Sequence, residues 1–204
     1  MHGCMDSFRK KSPAVVGRCS PSVLPMSPTR IGIVVFTSAA LAGPWYTVEG
    51  YSIIGNLISQ LGAQNTQNSW VMAAGFLALG CGIITDGIRR FSRPGIAFMA
   101  FGLFVALAGI FAHKPLWPAA EYSVVAHQLH SVLATLAGIS ITIGLLWVAA
   151  SATSFRPRII AIALAVLCFA LPLCMVAFDA YQGLIQRVMY ALILAWLWIR
   201  FPFD

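Results

Sequence analysis

The chain has 204 residues, of which 59% are hydrophobic and 9% charged. An ordinary soluble domain is about 45–50% apolar and about 25% charged, so a soluble enzyme, a disordered regulator and a disulfide-rich secreted module are excluded. The net charge is +7, from 13 Lys and Arg against 6 Asp and Glu. These basic residues gather between apolar runs and form no stripe interleaved with aromatics, so no nucleic acid is expected as a partner.

Residues 1–30 carry Pro13, Pro21, Pro25 and Pro28, together with Arg9, Lys10, Lys11, Arg18 and Arg30. This composition reads as a disordered, basic, cytoplasmic tail. No apolar stretch precedes Ile31, so the segment does not read as a cleaved signal peptide. A translation start at Met26 would leave every later apolar run intact. Of the five cysteines, Cys4 and Cys19 fall in this tail, while Cys81, Cys168 and Cys174 fall in apolar runs. No CxxC pair exists, so the cysteines read as small buried hydrophobes.

Six apolar runs follow, each near the roughly 20 residues that a membrane-spanning helix needs. They cover Ile31–Tyr46, Trp70–Ile88, Gly95–Ala112, Val124–Ala150, Ile159–Phe178 and Leu184–Phe203. The expected fold is all-α: a polytopic membrane protein whose residues 31–204 form a bundle of six transmembrane helices. Glycines in the second, third and fourth runs, Gly138 among them, suit close helix packing in lipid. With six spans both termini share a side. Eleven basic residues fall there, against Lys114 and Arg187 on the other side. The positive-inside rule then makes both termini cytoplasmic in a multi-pass protein of the cell membrane.

In the first outer loop, Ile53, Ile54, Leu57, Ile58 and Leu61 follow helical spacing. Ser52, Asn56 and Ser59 form a polar stripe on another face. The spacing predicts a short interfacial helix ending near Gly62 and Asn65. Ser59 is either a nucleophile or a hydrogen-bonding scaffold residue.

Most other polar residues fall on the outer side. His127 and His130 open the fourth span at i, i+3 and share a helix face. His113 ends the third span and is near enough in the chain to join them. Three imidazoles can hold Zn²⁺ with an open fourth position. Each can equally be satisfied by a neighbouring carboxylate or carbonyl. Arg187 lies just inside the sixth run and needs an acceptor, for which Asp179 is the nearest acid, with Glu49 and Glu121 as competitors. Its planar fork also suits an anion or lipid headgroup. Gln182, Gln186 and Tyr190 step along one face of the same helix.

The run Asn56-Leu-Ile-Ser59-Gln-Leu-Gly62, with Gly109-Ile-Phe111, the His127 region and Gly183-Leu-Ile-Gln186-Arg187, resembles a bacterial and archaeal membrane family, domain-of-unknown-function family 998. The resemblance covers about Ile31 to Phe203. It implies a six-span architecture and weight on the outer polar cluster, and offers no activity. The set Ser59, Asp179, His113, His127 and His130 is also chemically similar to membrane hydrolases of the ceramidase type, without their seven spans.

The function expected from these features is an integral membrane protein with an outward-facing polar pocket. It would act as a structural subunit among other membrane subunits, or bind a lipid or small anion through Asn56, Gln186, Arg187 and Glu121. The alternative is a zinc hydrolase acting on a lipid at the outer leaflet. There His113, His127 and His130 would hold the metal, and Ser59 and Asp179 would be catalytic.

Overall fold

A computed structural model describes residues 26–117 and 121–201. The basic tail before Met26 and the end of the sixth expected span lie outside the described residues. Six helices account for most of the rest: α1 (Pro28–Tyr46), α2 (Ser69–Arg89), α3 (Arg93–Ile110), α4 (Val124–Ser151), α5 (Phe155–Ala177) and α6 (Gln182–Arg200). There is no strand among the described residues. Helices α2 to α5, and the stretch Asp179–Arg200 that contains α6, are long and apolar enough to cross a membrane. Helix α1, at 19 residues, carries Arg30 and a Gly43-Pro44-Trp45 end that dilute its apolar centre.

The helix starts follow from local chemistry. Ser27, Ser92 and Ser123 each accept a hydrogen bond from the backbone N–H three residues on, and proline follows at the first turn of α1 and α3. A longer-range cap completes α1. The Asp86 carboxylate on α2, 4% exposed, accepts from Thr29 N at 2.9 Å, and Thr29 Oγ1 donates to Gly82 O at 3.2 Å. A buried carboxylate is stable there because it faces the positive end of a helix and an unpaired N–H.

Each helix packs on the next, and α6 returns to α1. Small residues set the close approaches. A Cβ added at Gly32 would run into Ala78 O, one at Gly82 into Pro28 O, and one at Gly80 into Gly102 O. These contacts tie α1 to α2 and α2 to α3 with their backbones nearly touching. One end of the bundle carries Arg30, Arg89, Arg90, Arg93, Arg156, Arg158 and Arg200; it is called here the basic end. Near it the core is filled. Phe98 is fully buried and stacks on Trp196 with ring centroids 5.2 Å apart and planes 16° from parallel. Phe201, Ile141, Leu145 and Leu197 close around that pair. The opposite end, with the loops after α1, α3 and α5, is the histidine end. About half of the apolar stretch of α2 is buried (50%) against 17% for α5, so α5 is the helix least embraced by its neighbours.

Candidate functional site

The loop between α1 and α2 builds a cap over the histidine end. The expected interfacial helix does not form. Residues 51–57 make turns, and only Ile58–Gly62 close a short 3₁₀ helix. Local side-chain bonds compete with the helix: Asn56 Oδ1 accepts from Ser52 N at 2.7 Å, and Ser52 Oγ accepts from Gly55 N at 3.2 Å. The Ser52, Asn56 and Ser59 stripe is therefore not one helical face. Nor is the 3₁₀ turn interfacial, since Ile58, Leu61 and Ala63 are buried in the bundle. Asn65 and Asn68 take the left-handed backbone, with φ of 57° and 56°, which asparagine tolerates better than most residues.

Three elements pin this cap. Helix α6 holds it most tightly. Arg187 Nη1 donates to the carbonyls of Ile53 (2.7 Å), Asn56 (2.9 Å) and its own helix's Gly183 (3.0 Å), while Nη2 donates to Tyr51 Oη at 2.6 Å. The acid expected to pair with Arg187 is not used. Main-chain oxygens and a phenol satisfy the fork in place of Asp179, Glu49 or Glu121. Tyr51 Oη in turn donates to Leu57 O at 3.0 Å. Burial raises the Tyr51 phenol pKa above its ordinary value, and Arg187 pulls part of that rise back. Gln186 Oε1 accepts from Ile58 N at 2.6 Å, and Leu184 N donates to Ile54 O at 2.9 Å. Gly183 lets the cap sit this close, because a Cβ there would collide with Asn56 O. On another side Gln64 stitches the cap to the α3–α4 loop, donating to Ala112 O and Ser123 O and accepting from Ser123 N at 2.8 Å. Asn68 reaches Tyr46 O at the end of α1.

The three histidines do meet. The His113 ring lies 4.6 Å from that of His127 and 5.3 Å from that of His130, both edge-on. Their nitrogens, however, serve the main chain. His130 Nδ1 lies 2.9 Å from both Ala108 O and Phe111 O, so it carries the hydrogen and closes the open carbonyls at the end of α3. His113 Nδ1 does the same for Lys114 O at 3.0 Å, and His127 Nδ1 accepts from Lys114 N at 3.4 Å. Burial pushes the His113 pKa down to about 4. Among the described residues no group of three His, Cys, Asp or Glu is arranged to hold a metal ion. Two of the three imidazoles thus cap carbonyls, and the third accepts a backbone N–H. Asp179 is exposed and binds Ala180 N, and Glu121 is exposed and offers its carbonyl to Asn65.

Beneath the cap lies a cavity of about 600 Å³, walled by α3, α4, α5 and α6. Its lining is overwhelmingly apolar, in contrast to the polar pocket expected. Ser59, His130, Gln186 and Tyr190 line it at the histidine end. Ile139, Ile143, Phe169 and Leu173 also line it and are exposed, so it opens sideways between α4 and α5. Two sequence signals mark this hollow. Pro172 stands inside α5 and lacks the N–H that would bond the Cys168 carbonyl, which weakens the helix where the wall parts. Gly138 on α4 faces open space, with nothing within 4 Å of a Cβ built there. It was expected to pack a neighbouring helix, as Gly80, Gly102 and Gly109 do; it widens the cavity instead.

A family model described as a protein of unknown function, DUF998, matches residues 30–200. The chain belongs to this family. No curated protein and no solved structure matches it significantly. In this DUF998 chain the two sequence motifs singled out above, Asn56 to Gly62 and Gly183 to Arg187, are the two sides of one clamp. Ser59, Gln186 and His130 come together at the cavity. Asn56 and Arg187 are engaged in holding the cap, and His113 and His127 stand beside His130 at its edge. Tyr190, Gly138 and Pro172 join the site.

Proposed function

We propose that this DUF998 protein is a six-span membrane protein that binds the apolar tail of a membrane lipid beneath its cap. The carrying observation is the 600 Å³ apolar cavity, which is closed above by the stitched cap and open between α4 and α5. Volumes of about 300–1,000 Å³ suit one small ligand. A mouth bordered by exposed Ile139, Ile143, Phe169 and Leu173 would face acyl chains in a bilayer, so the ligand enters from the membrane plane.

The basic end faces the cytoplasm in this reading, because seven arginines gather there against Lys114 and Arg187 at the other end of the described chain. Helix α1, held to α2 by Asp86 and by the Gly32 and Gly82 contacts, is the sixth span. Single cysteines at Gln67 and Ser154, in a chain without native cysteines, test the orientation. Gln67 should label from outside intact cells and Ser154 should not; the reverse pattern refutes it.

Lipid binding is tested by native mass spectrometry of protein released from nanodiscs. One lipid per chain should persist on the wild type. Gly138→Leu, whose Cβ enters open space in the hollow, should reduce its occupancy at least tenfold. Unchanged occupancy in a folded variant refutes the reading.

A further inference from the structure

The polar groups that line the cavity define the head of the ligand, an inference that rests on the lipid-tail reading above. None of the residues described as lining the cavity carries a formal charge. Arg187, next to Gln186 on α6, is not among them, and its guanidinium is engaged by Ile53, Asn56, Gly183 and Tyr51. Lys114 is likewise not among them. A phosphate or carboxylate drawn into this space would be desolvated with no counter-charge in the wall, which is costly at membrane depth.

Hydrogen-bonding capacity is nevertheless present, and its polarity can be read. His130 Nδ1 donates to two carbonyls, so Nε2 is left as an acceptor. Gln186 Oε1 is engaged by Ile58 N, so its Nε2 is left as a donor. The same bond sets Ser59, the next residue after Ile58, beside Gln186 at the roof of the cavity. Tyr190 stands one helical turn further along the same face of α6, about 6 Å deeper. Ser59 and Tyr190 add hydroxyls, which both donate and accept. On α4, Thr135 and Thr142 turn their hydroxyls back to Ser131 O and Gly138 O of their own helix, which leaves the rest of the wall apolar.

We infer that the cavity takes an uncharged, hydroxyl-bearing amphiphile. Its hydroxyl donates to His130 Nε2 and accepts from Gln186 Nε2, Ser59 or Tyr190. Its chain runs past Gly138 toward the mouth between α4 and α5. Fatty alcohols, monoacylglycerols and isoprenoid alcohols share this chemistry.

The test compares three probes of one chain length, a monoacylglycerol, a fatty acid and a lysophosphatidylcholine, titrated onto full-length protein at pH 8. At that pH an ordinary imidazole, with a pKa of about 6.5, is neutral. The monoacylglycerol should bind at least tenfold more tightly than either charged probe. Ser59→Ala, Tyr190→Phe and His130→Asn should each weaken it several-fold and leave the charged probes unmoved. His130→Asn keeps an N–H for the Ala108 and Phe111 carbonyls while removing the ring acceptor. If a charged probe binds as tightly as the monoacylglycerol, and Gly138→Leu abolishes both, the headgroup inference falls and the tail reading stands. If Gly138→Leu leaves all binding intact, or no probe binds, the tail reading falls with it.

Discussion

At the basic end Phe98 and Trp196 stack in a filled core; toward the histidine end α3, α4, α5 and α6 stand around a hollow. The same kinds of residue behave differently in the two regions. A Cβ added at Gly82 in the filled region would meet Pro28 O, whereas one at Gly138 in the hollow region would meet nothing within 4 Å. Phe98 is wedged against Trp196 and Phe201, whereas Phe169, on the wall of the cavity, is 68% exposed. Close packing makes one region a rigid base. The other is unfilled by its side chains and lies beneath a cap hydrogen-bonded to α6, the α3–α4 loop and α1. A fold that needs a ligand-sized space inside a bundle must hold that space open by some means other than packing.

The contrast is broken most directly by one substitution made in both regions. Gly82→Leu should prevent recovery of monodisperse protein, because backbone on α1 stands where its side chain must go. Overpacking usually costs about 1–3 kcal/mol, and a clash with backbone costs more. Gly138→Leu should give protein of wild-type yield and thermal midpoint. Equal damage from both would remove the distinction.

The next largest effect is expected at the clamp. Arg187→Met should leave the Ile53 and Asn56 carbonyls without their donor and cost about 2–3 kcal/mol. Hydrogen exchange should accelerate across residues 51–62 and stay unchanged around Phe98. Arg187→Lys, a point donor without the planar fork, should restore only part of the protection. Uniform loosening of both regions would show that the cap is not a separate unit.

The comparison is sharpened by pH. His113 is held neutral in the fold down to about pH 4, chiefly by burial, with Lys114, His127 and His130 as its positive or titrating neighbours. In the unfolded chain it protonates near its ordinary value of about 6.5. Its folded pKa is depressed, so this contribution to stability is complete above about 6.5 and is lost as pH falls to about 4. The slope approaches about 1.4 kcal/mol per pH unit. Thermal unfolding in detergent should track that window, and His113→Gln should flatten it.

The six helices were legible because helix periodicity and length are properties of the chain itself. The exact starts of α1, α3 and α4 come from the serine caps at Ser27, Ser92 and Ser123. The cap was misread because helical spacing at Ile53, Ile54 and Leu57 carries no information about Ser52 and Asn56 bonding each other. Arg187 was assigned an acid because a sequence displays side chains and hides carbonyls. The three histidine rings stand together, yet the partners of their nitrogens, Ala108 O, Phe111 O, Lys114 O and Lys114 N, are main-chain atoms again. Asp86 carries no local signature of its role, since its partner, Thr29 N, lies 57 residues away on another helix. Pro172 and Gly138 were visible as residue types. Their joint meaning depends on α4 and α5 lying side by side.

Three of the four oxygens that Arg187 grips are main-chain carbonyls, which every amino acid carries. Ile53 and Ile54 face outward, 48% and 50% exposed, while their carbonyls are held from beneath. Substitution at these two positions therefore leaves the mount intact, whereas Gly183 and Arg187 on the helix below have no freedom to drift. At Ile53 and Ile54 the crown of this protein is mounted by its main chain, and the side chains it turns outward take no part in roofing the chamber underneath.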